Sequence, residues 1–156
     1  MTTTGDFASS DLLQQEIQLQ LPHFSHDVAL DIGELAASMG RAKNLGVLVS
    51  VRIGEWEVFK AALPGSKPEN DGWVQRKANV VNLTHHSTMY ERVKAEETGT
   101  DWHAQHGVKD ETHAIHGGGF PLSTQAGFQG ILLISGLPQV EDHNFIIEVL
   151  SAYLKK

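Results

Sequence analysis

The residues of this chain best suited to chemistry are its histidines, and two of them stand beside an unusual backbone. The stretch His113-Ala114-Ile115-His116-Gly117-Gly118-Gly119-Phe120-Pro121-Leu122 sets two imidazoles against three consecutive glycines, ahead of the apolar run 128–134. Imidazole supplies a nitrogen ligand for a metal or a proton carrier near neutral pH. Consecutive glycines cost backbone entropy and pack no side chain, so a plausible return is positive φ or close approach of another backbone or a ligand. The competing reading is a glycine-rich turn or bulge between two strands. Both stay open at this level.

Other histidines offer less. His85 and His86 are neighbours, so on a helix they point about 100° apart and do not share one metal without help from elsewhere. Solvated or interface-packed rings explain them equally well. His103 and His106 flank Trp102 and face one side only if that segment is helical. His143 follows Glu141 and Asp142 near the start of the last helix.

The 156 residues contain no cysteine, which excludes disulfides, thiolate zinc sites and cysteine nucleophiles. The length suits one domain over residues 1–156, with residues 1–10 expected to fray. A formal net charge of −7 argues against nucleic acid as a partner. No signal-peptide pattern and no apolar run of membrane-spanning length is visible, so a cytoplasmic location is expected. Protonating all nine histidines would move the formal charge from −7 to −7 + 9 = +2, so the surface field depends strongly on pH.

These residues must be positioned by a mixture of helices and strands. Leu12, Leu13, Ile17 and Leu21 predict a short amphipathic helix ended by Pro22. Ser25 predicts the N-cap of a second helix that stops near Asn44, with Val28, Ala29, Ile32, Leu35, Ala36 and Met39 on its core face. Residues 45–53 read as a strand buried on both faces, and Gly54-Glu55 as a two-residue hairpin turn into the partner strand 56–63. Ser66 and Glu69 match a capping box, predicting one long helix to about Val93, with Trp73, Lys77, Val80 and Val81 on one side. Residues 96–110 read as a loop holding Trp102. Extended segments follow over 113–116, 120–123 and 128–135. Pro138 then opens a helix to about Tyr153. Helices against an antiparallel sheet make an α+β fold.

Three segments carry a family likeness: Asn79-Val80-Val81-Asn82 with His85-His86-Ser87, then HGGGFP at 116–121, then GLPQVEDH at 136–143. Together they resemble the GlcG/HbpS-like haem-degrading domain superfamily, and within it a branch of short cytosolic proteins carrying HGGGFP and GLPQxEDH. The likeness spans about residues 21–156. It implies a profilin-like fold with a five-stranded antiparallel sheet flanked by helices, a homo-oligomer, and haem or a metal ion as cofactor. Where wider relatives often carry Ser-Gly-Gly, this chain has Ser135-Gly136-Leu137-Pro138, which changes the shape of the helix entrance.

The expected ligand-binding residues are therefore His113, His116, Gly117, Gly118, Gly119, Phe120 and His143, with His116 as metal ligand. The first functional reading is an oligomeric module that binds a small molecule, haem or a metal. The alternatives are a histidine-dependent enzyme using His113, His116 or His143 as a general base, and an oligomeric scaffold without ligand. Trp102 and Phe120 are the aromatics expected to cross between subunits, near a shared ligand site.

Overall fold

The computed structural model describes residues 4–156. Its four strands are β1 (Leu48–Ile53), β2 (Trp56–Ala62), β3 (Gly119–Thr124) and β4 (Gly127–Ser135). They form one antiparallel sheet in the order β2-β1-β4-β3. The helices are α1 (Ser9–Gln18), α2 (His26–Ala42), α3 (Asn70–Thr84), α4 (Thr88–Thr98), α5 (Trp102–His106) and α6 (Gln139–Leu154).

The sheet is covered on both faces, and the twofold alternation of strand side chains sorts them. Val49 and Val51 of β1 with Leu132 and Ile134 of β4 pack under α2 and α6, together with Ile32, Ile146 and Leu150. Their neighbours Leu48, Ile131 and Leu133 face the other way, onto Val74, Ala78 and Val81 of α3. This is why β1 and β4 read as nearly continuous apolar runs. Helix α2 begins as its cap predicts, with the Ser25 hydroxyl oxygen accepting the Val28 N–H at 3.2 Å. The β1–β2 hairpin turns at Gly54 with φ +64°.

The sheet has four strands among the described residues, where five were expected. Residues 113–116 supply no strand, because they run along α3 instead, where the Ala114 N–H bonds the Arg76 carbonyl at 3.2 Å. The long helix expected from Ser66 is two helices. His85 takes a left-handed conformation at φ +62° and ends α3, and Ser87 caps α4 by accepting the Tyr90 N–H. Ser66 itself makes a turn, its hydroxyl donating to the Leu63 carbonyl. Nor is 96–110 an open loop. Asp101 caps α5, and Trp102 is buried among Val80, Ala95 and Ile115, its indole N–H donating to Glu91 at 2.9 Å.

Two further expectations change. Residues 1–3 of the segment expected to fray lie outside the described residues. In the rest of it Thr4 is buried and Phe7 meets the His143 ring edge-on at 5.5 Å. Phe120, expected to reach between subunits, is 1% exposed and lies in the core under α2 and α6. Among the described residues no helix is long and apolar enough to cross a membrane.

His143 belongs to this core. Its Nε2 donates to the Gln15 amide oxygen at 2.8 Å, since that oxygen can only accept. Nδ1 is buried without a hydrogen-bond partner among the described residues. Burial pushes the imidazole down to about 4. A group that resists protonation only when folded contributes stability above its unfolded value of 6.5, and that contribution is lost as pH falls toward 4. We expect the stability difference between the native protein and His143→Met to move by on the order of 3 kcal/mol in the variant's favour from pH 7 to pH 4. Urea unfolding at several pH values measures it. A difference independent of pH would mean that this ring titrates normally.

Candidate functional site

One cavity is built where four separate segments meet: the start of α3, the residues before β3, the end of β4 and the first turns of α6. It encloses about 270 Å³, and its walls include Asn70, Trp73, Lys77, His116, Ser135 and Asp142.

Lys77 and Asp142 are the buried charges of this cavity. Lys77 lies on the face of α3 that packs on the sheet and is 3% exposed, and Asp142 in the first turn of α6 is 2% exposed. The Lys77 ammonium donates to the Ile134 carbonyl at 3.0 Å and to Asp142 Oδ2 at 3.3 Å. An ammonium carries three N–H bonds, so one remains for a ligand. The other carboxylate oxygen of Asp142 accepts the Leu137 N–H at 3.0 Å. Burial pulls the amine down from its ordinary value, against the attraction of Asp142. Burial pushes the carboxyl up to about 6, against the attraction of Lys77. Both shifts favour the uncharged forms, as expected where water is excluded.

Around this pair stand neutral polar groups and two rings. Asn70 donates one amide hydrogen to the Ser135 hydroxyl at 3.1 Å, and its oxygen accepts the Lys67 N–H. His116 meets Trp73 edge-on with ring centroids 5.0 Å apart, and the Arg76 guanidinium lies 4.4 Å from the Trp73 ring centre. Burial first, and then the positive charges of Arg92 and Lys77, hold His116 below its ordinary value, so it is a neutral imidazole near pH 7.

The glycines make this packing possible. Gly118 has φ +126°, which L side chains rarely adopt. A Cβ there would lie 2.5 Å from the Lys77 nitrogen and would also strike the Ile134 carbonyl. Gly117 donates to the Gln139 side chain at 3.2 Å, and Gly119 to the Thr88 hydroxyl at 3.0 Å. Gly136, at φ +147°, lets the turn out of β4 pass against the Gly46 carbonyl.

The seven residues expected to bind ligand are thus not gathered in one place. His116 lines the cavity, and Gly118 stands against its lysine. Gly117 and Gly119 hold the backbone behind it, while Phe120 and His143 lie in the core on the sheet's other side. His113 is half-buried elsewhere. Its Nδ1 faces the Thr112 hydroxyl and its carbonyl accepts from His103 Nε2 at 2.7 Å. His85 stacks on Phe128, and His86 pairs with Glu16 of α1. Among the described residues no three His, Asp or Glu side chains are grouped to hold a metal ion. Sequence reasoning passed over Lys77, Asp142, Asn70 and Ser135. One signal was present: a lysine on the apolar face of a helix, in line with Trp73 and Val80.

Comparison with known proteins adds a family. A family model described as haem degrading protein HbpS-like matches residues 24–151. A UPF0303 protein of Streptomyces avermitilis is 37% identical over 147 residues, 94% of this chain and 90% of that protein. The crystal structure of Ybr137w protein is similar with a TM-score of 0.88 at 24% identity, over 98% of this chain and 91% of that one. A PduOC–haem complex is similar with a TM-score of 0.68 at 18% identity, over 85% of this chain and 95% of that one. At these identities the two structures establish the fold.

The substitution Gly118→Val tests the packing around Lys77. We expect a loss of more than about 2 kcal/mol or failure to fold, since both the positive φ and the lysine's position are disturbed. An unchanged melting temperature would contradict it.

Proposed function

This chain belongs to the HbpS-like haem-degrading family, and from that premise we propose that it is a small-molecule-binding protein whose ligand sits on Lys77 and Asp142. The observation that carries the reading is a buried ammonium–carboxylate pair forming part of the wall of a cavity. Buried ion pairs contribute little net stability compared with apolar packing, so stability alone is a weak reason for this one. A ligand that presents a carbonyl or carboxylate oxygen finds the free N–H of Lys77 and the second amide hydrogen of Asn70. Trp73 and the neutral His116 supply an apolar edge and a lone pair. The volume of about 270 Å³ lies at the small end for ligand pockets and suits a molecule of roughly ten heavy atoms or fewer.

Haem is the second reading, supported by the family and by the half-buried His116. A neutral imidazole is the donor that haem iron accepts. The cavity behind His116 does not fit the rest of the group. Its ammonium, carboxylate and amide are poor cover for a porphyrin's apolar faces, and one chain does not enclose a macrocycle. Haem binding therefore requires a second copy of the chain to complete the pocket. The same reading makes the protein a homo-oligomer. The exposed apolar side chains Trp56, Ile17 and Leu83 are better candidates for a subunit contact than the buried Trp102 and Phe120.

Titration with acetate and with acetone, followed by amide NMR, tests the first reading. At least one probe is expected to shift Gly118, Gly136 and Leu137 together with the Trp73 indole, and His116→Ala is expected to reduce the shifts. No response to either probe would contradict it. Haemin titration tests the second: a Soret band lost in His116→Ala supports it, and no band removes it.

A further inference from the structure

We propose that Lys77 Nζ is the nucleophile of a site that captures small aldehydes as an imine, with Asp142 moving the protons. The proposal rests on the reading of this cavity as the ligand site and names the class of ligand it takes.

The placement of the two groups carries the inference. Nζ lies among the cavity walls with Asp142 Oδ2 at 3.3 Å, and Gly118 leaves it room that any side chain would remove. Asp142 is fixed from behind by the Leu137 N–H, so its free motion is small and its second oxygen faces the amine. Asn70 and Ser135, both buried, are neutral hydrogen-bonding groups in the walls of the same cavity. The lysine is anchored by an uncharged acceptor, the Ile134 carbonyl, which holds the nitrogen whether or not it carries a charge.

An amine attacks only as the free base. Burial lowers the cost of reaching it, since moving one proton from Nζ to Oδ2 turns an ion pair into a neutral amine and a neutral acid. The nitrogen lone pair then forms a C–N bond to the aldehyde carbon, and the carbonyl oxygen takes the proton of Asp142. The carboxylate next removes one proton from the nitrogen, leaving a neutral carbinolamine and a protonated Asp142. That proton goes to the hydroxyl as the C–O bond breaks, so water leaves. The product is a protonated imine on Lys77 facing the Asp142 carboxylate. The net change is one aldehyde taken up and one water released, with no oxidant or reductant. The small cavity favours short aldehydes.

Acetaldehyde with sodium cyanoborohydride, applied to the full chain at pH 7, traps such an imine as an ethyl group. Peptide mapping by mass spectrometry then gives the rate at each lysine. We expect Lys77 to be labelled about tenfold faster than the exposed Lys155 or Lys156. Labelling of Lys77 no faster than these overturns the proposal. Asp142→Asn should slow labelling at Lys77 and leave Lys155 unchanged. Because loss of the carboxylate makes the amine easier to deprotonate, equal or faster labelling would overturn the role given to Asp142. If that variant does not fold, the comparison within the native chain still decides. Acetate-induced shifts at Gly118 and Leu137 without labelling of Lys77 would leave the binding site in place and remove the imine chemistry. Absence of both would remove both.

Discussion

An ammonium and a carboxylate held together out of water set the terms for everything around them. Lys77 comes from the middle of α3 and Asp142 from the start of α6, 65 residues apart. Removing one partner from such a pair leaves an uncompensated buried charge, at a cost of about 3–5 kcal/mol. The backbone nearby is arranged to meet the demands of both. The Ile134 carbonyl at the end of β4 accepts from Lys77, while the Ile134 N–H is taken by the Gly118 carbonyl at 2.8 Å. The turn after β4 gives its Leu137 N–H to Asp142. Gly118 and Gly136 occupy left-sided φ values, and a Cβ would strike the Ile134 carbonyl and Lys77 at the first and the Gly46 carbonyl at the second.

Much of the frame could be read from local pattern. Ser25 announced α2, Gly54 announced the hairpin, and the nearly continuous apolar run in 128–135 follows directly from a strand covered on two faces. Local pattern failed where tertiary contacts decide. His85 and Ser87 break a helix that hydrophobic spacing alone would continue, because the left-handed turn at His85 lets its ring stack on Phe128 while Ser87 caps a new helix. Asp101 is a good cap for α5, yet so short a helix shows no periodicity, and burial of Trp102 depends on Glu91 from another helix.

The candidate site was legible in one half. The glycines at 117–119 drew attention for the right physical reason, close approach of other groups, and that approach includes a lysine. The histidines drew attention for a chemistry that the fold mostly assigns elsewhere. Of the histidines singled out in the sequence, His143 is core and His85 stacks on the sheet. His86 pairs with Glu16, and only His116 reaches the cavity. Asp142 looked like an ordinary acidic residue at a helix start, where the dipole favours it. Nothing in its neighbours along the chain shows that a lysine from α3 stands against it.

The ionisation of Lys77 decides whether this picture is right. Carbon-13 labelling of lysine lets each Cε resonance be followed with pH. The account predicts that the Cε of Lys77 titrates below the ordinary lysine value of 10.5, and that its change is coupled to protonation of Asp142 near pH 6. A Lys77 resonance that titrates at that ordinary value would mean that its nitrogen is in water, and the account of the cavity would fail.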